Sequence, residues 1–198
     1  MSQRLDEIDM PCLDRLQAEC SWFRVGQVFG RGLERMVSAE LDLRAFAWKE
    51  GDVTPTLRPG LWKVQILLAR GMAVQPLVRV QPDPEGYLPA GGNISDWEVG
   101  RAPCHAGEMI PGLVCYADRW NPQFTLAWLA YQVARIVVGE VLNLEARPLS
   151  ARGRNFQADA LAEGKLPTQV IPSPPPAILF LQAPDDEPAD REIEFHAA

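Results

Sequence analysis

The sequence predicts an α+β fold: an antiparallel β-meander packed on an N-terminal helix and a long central helix, followed by a flexible C-terminal extension. Three observations carry this expectation. Ala39, Leu41, Leu43 and Ala45 alternate with Glu40, Asp42 and Arg44, and Trp62, Val64, Ile66 and Leu68 repeat the pattern; a period of two marks strands with one buried face. Leu126, Leu129, Val133, Ile136 and Val137 recur instead at the helical period. Beyond Gly164, Pro172, Pro174, Pro175 and Pro176 break any regular pattern before an acidic end.

Taken in order, Leu13, Leu16, Cys20 and Phe23 share a helical face. With Pro11 near the first turn and Gly26 and Gly30 beyond, they predict a helix from about Pro11 to Arg24. After the first strand, Thr54-Pro55 and Pro59-Gly60 punctuate a loop. Arg70-Gly71 turns the chain out of the second strand. Pro76 to Gln81 forms a third, with proline at its start, where a strand tolerates it. Residues 82–112 lack a period, and a loop of that length inside a domain is commonly functional. Thr125 is the expected N-cap of a helix from Leu126 to Leu142. A short helix near Asn155 to Glu163 ends at Gly164. Ala177 to Leu181 is apolar and is expected to dock on the domain. The division is therefore a domain over 1–166 and a proline-rich, acidic extension over 167–198.

Composition excludes several classes. The chain has 198 residues, 47% of them hydrophobic, and a net charge of −7. That length suits one domain with a real core. An acidic protein lacks the basic face that binds phosphate backbones, and an anionic membrane does not attract it. Met1-Ser2-Gln3-Arg4 leads into charged residues rather than an apolar run, and no window reaches the ~20 apolar residues of a membrane span. A cytoplasmic protein is expected, with Cys12, Cys20, Cys104 and Cys115 as thiols. With only His105 and His196 and no Cys-x-x-Cys, no metal site is expected. Gly91-Gly92 is not a phosphate loop, since no helix with Lys-Ser/Thr follows it, so no cofactor is implied.

The stretch from Ala102 to Gly139 carries the chemistry. Cys115 follows Gly112 by three residues and His105 by ten, and Trp120-Asn121-Pro122 comes just after. A cysteine held between a glycine turn and a Trp-Pro corner, in a loop anchored by a helix, is a plausible reactive thiol. The plainer alternative is a buried thiol in a core strand, given Leu113, Val114 and Tyr116 around it. Asp118 and Arg119 are the nearest ionisable groups after Cys115, and Arg119 is a candidate to lower the thiol pKa.

This arrangement resembles the ubiquitin-conjugating enzymes. Their motif has a His ten residues before the catalytic cysteine, a Gly three before it and a Trp-x-Pro after it. Gln75-Pro76-Leu77-Val78 is similar to the family's third-strand motif, and Thr125-Leu126 to its helix start. The shorter Arg119-Trp120-Asn121-Pro122 spacing resembles the bacterial branch found in antiphage defence and ubiquitin-like conjugation operons. The resemblance spans roughly residues 10–145, with its informative part in 105–126.

The resemblance implies that Cys115 accepts the C-terminus of a protein modifier as a thioester and passes it to an amine on a target. The modifier is a ubiquitin-like protein or a nucleotidyltransferase C-terminus. ATP is spent by a separate activating enzyme, for which the N-terminal helix, with Arg15 and Arg24, is the expected surface. His105 takes a structural role beside the loop, and Asp118 orients or deprotonates the incoming amine. The family's Asn after that His is missing here, where Ala106-Gly107 follow. Loss of such an oxyanion donor is worth about 3 kcal/mol in other enzymes, and Asn121 or Asn93 is the candidate replacement. Two other classes stand beside this one: a non-catalytic binding module of the same fold, and a Cys115/His105 hydrolase.

Overall fold

The computed structural model describes residues 2–31, 34–69, 75–97, 110–117, 120–144 and 148–181. The chain opens with a helical turn, Ser2–Arg4, and a π-helical stretch, Leu5–Asp9. Helix α1, Met10–Glu19, continues from it and buries Leu13 and Leu16 completely. The helix expected to reach Arg24 stops at Glu19, because Cys20 is already extended at φ −123°, ψ 109°. Phe23 keeps the helical spacing but serves a strand, β1, Phe23–Arg31. Arg24 therefore lies on β1 rather than on the helix. Gly26 is tolerated inside β1 because the register shifts between Val25 and Val28. There the Ser38 hydroxyl accepts from Gln27 N–H at 2.7 Å and donates to Gln27 O at 3.0 Å, in the space a side chain on Gly26 would need.

Strands β2, Glu34–Trp48, β3, Thr56–Ala69, and β4, Leu77–Val80, complete an antiparallel meander in the order β1-β2-β3-β4. The short β5, Leu88–Pro89, pairs with the end of β2. The meander thus has four main strands rather than the three expected. Register aligns the core in rows: Phe23, Leu41 and Trp62; then Val25, Ala39, Val64 and Val80; then Val28, Val37, Ile66 and Val78. The alternating residues of β2 and β3 are the buried ones, as their period predicts. Pro59-Gly60, expected in a loop, lies within β3. Proline is admissible there because β4 pairs only with Val64 to Leu67, leaving that side of β3 uncovered at Pro59.

Helix α2, Leu126–Val138, crosses the buried face of the sheet. Its predicted stripe is buried, and so are Ala127, Ala130, Ala134 and Val138, so the helix is enclosed on nearly every side. It ends at Val138 rather than Leu142 because Gly139 takes the left-handed conformation, φ 80°, and caps it. At the other end, the fully buried Thr125 hydroxyl accepts from Trp128 N–H at 3.2 Å and donates to Ile178 O at 2.6 Å. Thr125→Ala removes both bonds; we expect it to cost about 2 kcal/mol in chemical denaturation, with Thr125→Ser restoring most of that.

Helix α3, Ala151–Ala162, starts earlier than its expected Asn155, at a Ser150 cap whose Oγ accepts from Gly153 N–H at 2.8 Å. A last turn, α4, spans Pro176–Leu179. The described part of the extension is not a free linker: Ile171, Ile178 and Leu179 are buried, and Leu181 N–H donates to Gln123 O at 2.8 Å. Ala177–Leu181 docks, as its apolar character suggests. The acidic residues 182–198 lie outside the described residues. Among those described, no helix is long and apolar enough to cross a membrane.

Candidate active site

Cys115 sits at the end of a stretch, 112–115, that runs beside β4, with Leu113 and Val114 in β-bridges to Arg79 and Ile94. Val80 N–H donates to Gly112 O at 2.8 Å and Val114 N–H to Val78 O at 3.0 Å. On its other side the same stretch meets residues 93–95: Ser95 N–H donates to Leu113 O at 2.9 Å and Cys115 N–H to Asn93 O at 2.8 Å. Gly112 enters this stretch at φ 88°, so close beneath β4 that a Cβ would collide with Val80 O. That is why position 112 requires glycine.

Leu113, Val114 and Tyr116 are buried, while Cys115 between them is half-buried. It packs against the small apolar cluster of Leu113 and Leu149. It also lines a cleft of about 190 Å³ whose walls are 115–117 with Asn93 on one side and 141–143 on the other. This is below the roughly 300 Å³ at which drug-sized ligand pockets begin. Burial pushes the Cys12 and Cys20 thiols up, with the acidic neighbours Asp9 and Glu19 adding to it, so both are held away from the nucleophilic thiolate.

Asn93 lies against Cys115 and Asn121 does not line the cleft. The Asn93 Nδ2 donates to Cys115 O at 2.9 Å, and since a carbonyl only accepts, this fixes the amide's orientation. Its Oδ1 is buried and has no hydrogen-bond partner among the described residues. Unsatisfied buried acceptors are rare and need an explanation, a functional site being one. Asn121 is exposed and its Oδ1 accepts from Gln123 N–H at 2.9 Å, an Asx turn that shapes its own loop. His105, Cys104, Asp118 and Arg119 lie outside the described residues.

The Trp-Pro corner is held from three directions. Trp120 meets Tyr116 and Trp128 edge-on at 6.2 and 6.4 Å, and Phe124 stacks on Trp128 at 4.0 Å. Arg4 donates to Pro122 O at 2.5 Å and to Phe124 O at 2.7 Å. The C-terminal segment reaches it through Leu181 and Phe180. Tyr116, whose hydroxyl donates to Pro76 O at 2.7 Å, is pushed up by burial and stays neutral, a packing group rather than an acid or base.

Two residues close to this site carry no motif. Asn93 is announced only by the glycines before it, and Gln157 by nothing in its own surroundings. Gly91 and Gly92 allow α3 to approach closely, with Gly153 against Gly91. Among the described residues no group of three or more His, Cys, Asp or Glu is placed to hold a metal. Comparisons with protein-family models, with characterised proteins and with solved structures find no match to this chain.

Proposed function

We propose that this protein has a ubiquitin-conjugating-like fold and is the acyl carrier of a ubiquitin-like conjugation system. In this reading it accepts a modifier's C-terminus as a thioester on Cys115 and passes it to an amine on a target protein, in bacterial antiphage defence. The observation that carries this is Cys115 itself. It is half-exposed on a narrow cleft, its backbone locked in both directions to Asn93. The order of N-terminal helix, antiparallel meander, irregular segment with cysteine, and Thr-capped helix supports the same reading.

The chemistry asks little beyond this. Thiolate sulfur is both a good nucleophile and a good leaving group, so one cysteine can take an acyl group and surrender it. The acyl donor's terminal residues enter the cleft, and the amine approaches across the Trp120–Pro122 corner. ATP chemistry belongs to a separate activating enzyme that meets α1.

A second reading, a non-catalytic binding module, is favoured by the packing of Cys115 on Leu113 and Leu149 and by Ala106-Gly107 after His105. Incubation with a glycylglycine thioester and intact-mass analysis separates the two. The carrier reading expects one added acyl group on wild type, absent in Cys115→Ala and released by lysine. No acylation, together with Cys115 alkylation no faster than that of a denatured cysteine, would favour the module.

A further inference from the structure

We infer that Gln157, on α3, is a positioning residue for Cys115 that acts through Asn93; the inference deepens the acyl-carrier reading and rests on it for its consequence, though not for its geometry. Gln157 is 1% exposed, an unusual place for a neutral amide. Its Oε1 accepts from Gly92 N–H at 2.9 Å. Gly92 O in turn accepts from Leu149 N–H at 2.8 Å, so both backbone polar groups of Gly92 are held from the α3 side.

Four residues further on, the chain is held again: Ser150 Oγ donates to the buried Asp96 at 2.5 Å while capping α3. Between these two fixed points stands Asn93, which accepts from Cys115 N–H through its backbone and donates to Cys115 O through its side chain. The contact is too close for anything but glycine, since a Cβ on Gly153 would collide with the Gly91 carbonyl. Helix α3 is thus registered against residues 91–96, and those residues hold the cysteine peptide on two sides. The effect of Gln157 passes along one residue, from Gly92 to Asn93.

The chemistry it serves is positional. Acyl transfer requires the Cys115 sulfur to meet a carbonyl carbon in a narrow cleft, where a displacement of about 1 Å can cost on the order of a hundredfold in rate. Gln157→Leu removes the acceptor and leaves Gly92 N–H buried without a partner.

The test uses the full-length chain, well below its melting temperature, with two readouts. Iodoacetamide alkylation is followed by peptide mapping against pH, with Cys12 as the internal reference. Acyl loading is followed with a glycylglycine thioester. The expected result for Gln157→Leu is a changed pH profile at Cys115, an unchanged one at Cys12, and acyl loading slower by about tenfold. Should Gln157→Leu not fold, Gln157→Met takes its place. A Cys115 profile identical to wild type or a parallel change at Cys12 overturns the inference. If wild type is not acylated at all, the carrier reading fails, and the alkylation profile alone decides whether Gln157 positions the thiol.

Discussion

Arg4→Ala is expected to destabilise the fold by about 3–5 kcal/mol, far more than an ordinary surface arginine. Arg4 pairs with Asp9 at 3.2 Å, and Asp9 is fully buried, its other oxygen accepting from Leu126 N–H at 3.0 Å. One carboxylate thus joins the N-terminal segment to the first turn of α2, where an acceptor also satisfies an otherwise orphaned helix N–H. Removing Arg4 leaves that carboxylate buried without its counter-charge and frees the carbonyls of Pro122 and Phe124.

The pH dependence has a definite sign. Burial raises the Asp9 carboxyl above its ordinary 3.8, with the Leu126 N–H and Arg4 opposing the rise. A carboxyl raised in the folded state binds its proton more tightly there than in the unfolded chain. Its effect on stability is therefore most favourable below 3.8 and declines as pH rises through the folded-state value. Arg4→Ala removes an opposing influence, so its deficit should be smaller in mild acid than at neutral pH. Asp9→Asn added to Arg4→Ala should recover part of it at neutral pH. The lost bonds to Pro122 and Phe124 leave a remainder at every pH. Denaturation at two pH values checks this, and a pH-independent deficit contradicts it.

Gly112→Ala is expected to lose about 3–5 kcal/mol and to disturb Cys115 as well. Gly112 stands at φ 88°, where an L-residue is strained by about 1–2 kcal/mol. The larger part comes from the collision of its new Cβ with Val80 O, a backbone atom that cannot rotate away. Relief requires the 112–115 stretch to part from β4, breaking the Val80 N–H to Gly112 O bond. Gly86→Ala isolates the first contribution. Gly86 has φ 87° but nothing within 4 Å of its would-be Cβ, so it should cost only about 1–2 kcal/mol. Equal losses at the two glycines would show that strain alone acts at Gly112. Equal losses would also remove the packing explanation for glycine at position 112.

What the sequence disclosed followed the strength of its periods. β2 and β3 were legible because each alternates over a long run, and α2 because its stripe and Thr125 agree. β1 was hidden because Leu16, Cys20 and Phe23 fit a helix as well as a helix-to-strand junction, and Gly26 reads as an end signal when it is a bulge. Pro59-Gly60 reads as a loop unless one knows that the neighbouring strand stops short. Gly139 was the available stop signal for α2, masked by the apolar Val141 and Leu142 beyond it. At the site, motif spacing singled out Cys115 and Gly112. It did not separate Asn93 from Asn121, because contact between residues 93 and 115 is a property of sheet register. Gln157 had no local signature, since its partner is a peptide N–H more than sixty residues away.

The most direct test of the central claim is intact-mass analysis on non-reducing samples after co-expression with the genes encoded beside this one, comparing wild type, Cys115→Ala and Cys115→Ser. The account predicts a thiol-sensitive protein adduct on wild type, none on Cys115→Ala, and a thiol-resistant ester on Cys115→Ser, with the added mass naming the modifier. No adduct on wild type in the presence of an active partner enzyme, with biological activity intact in Cys115→Ala, would contradict it.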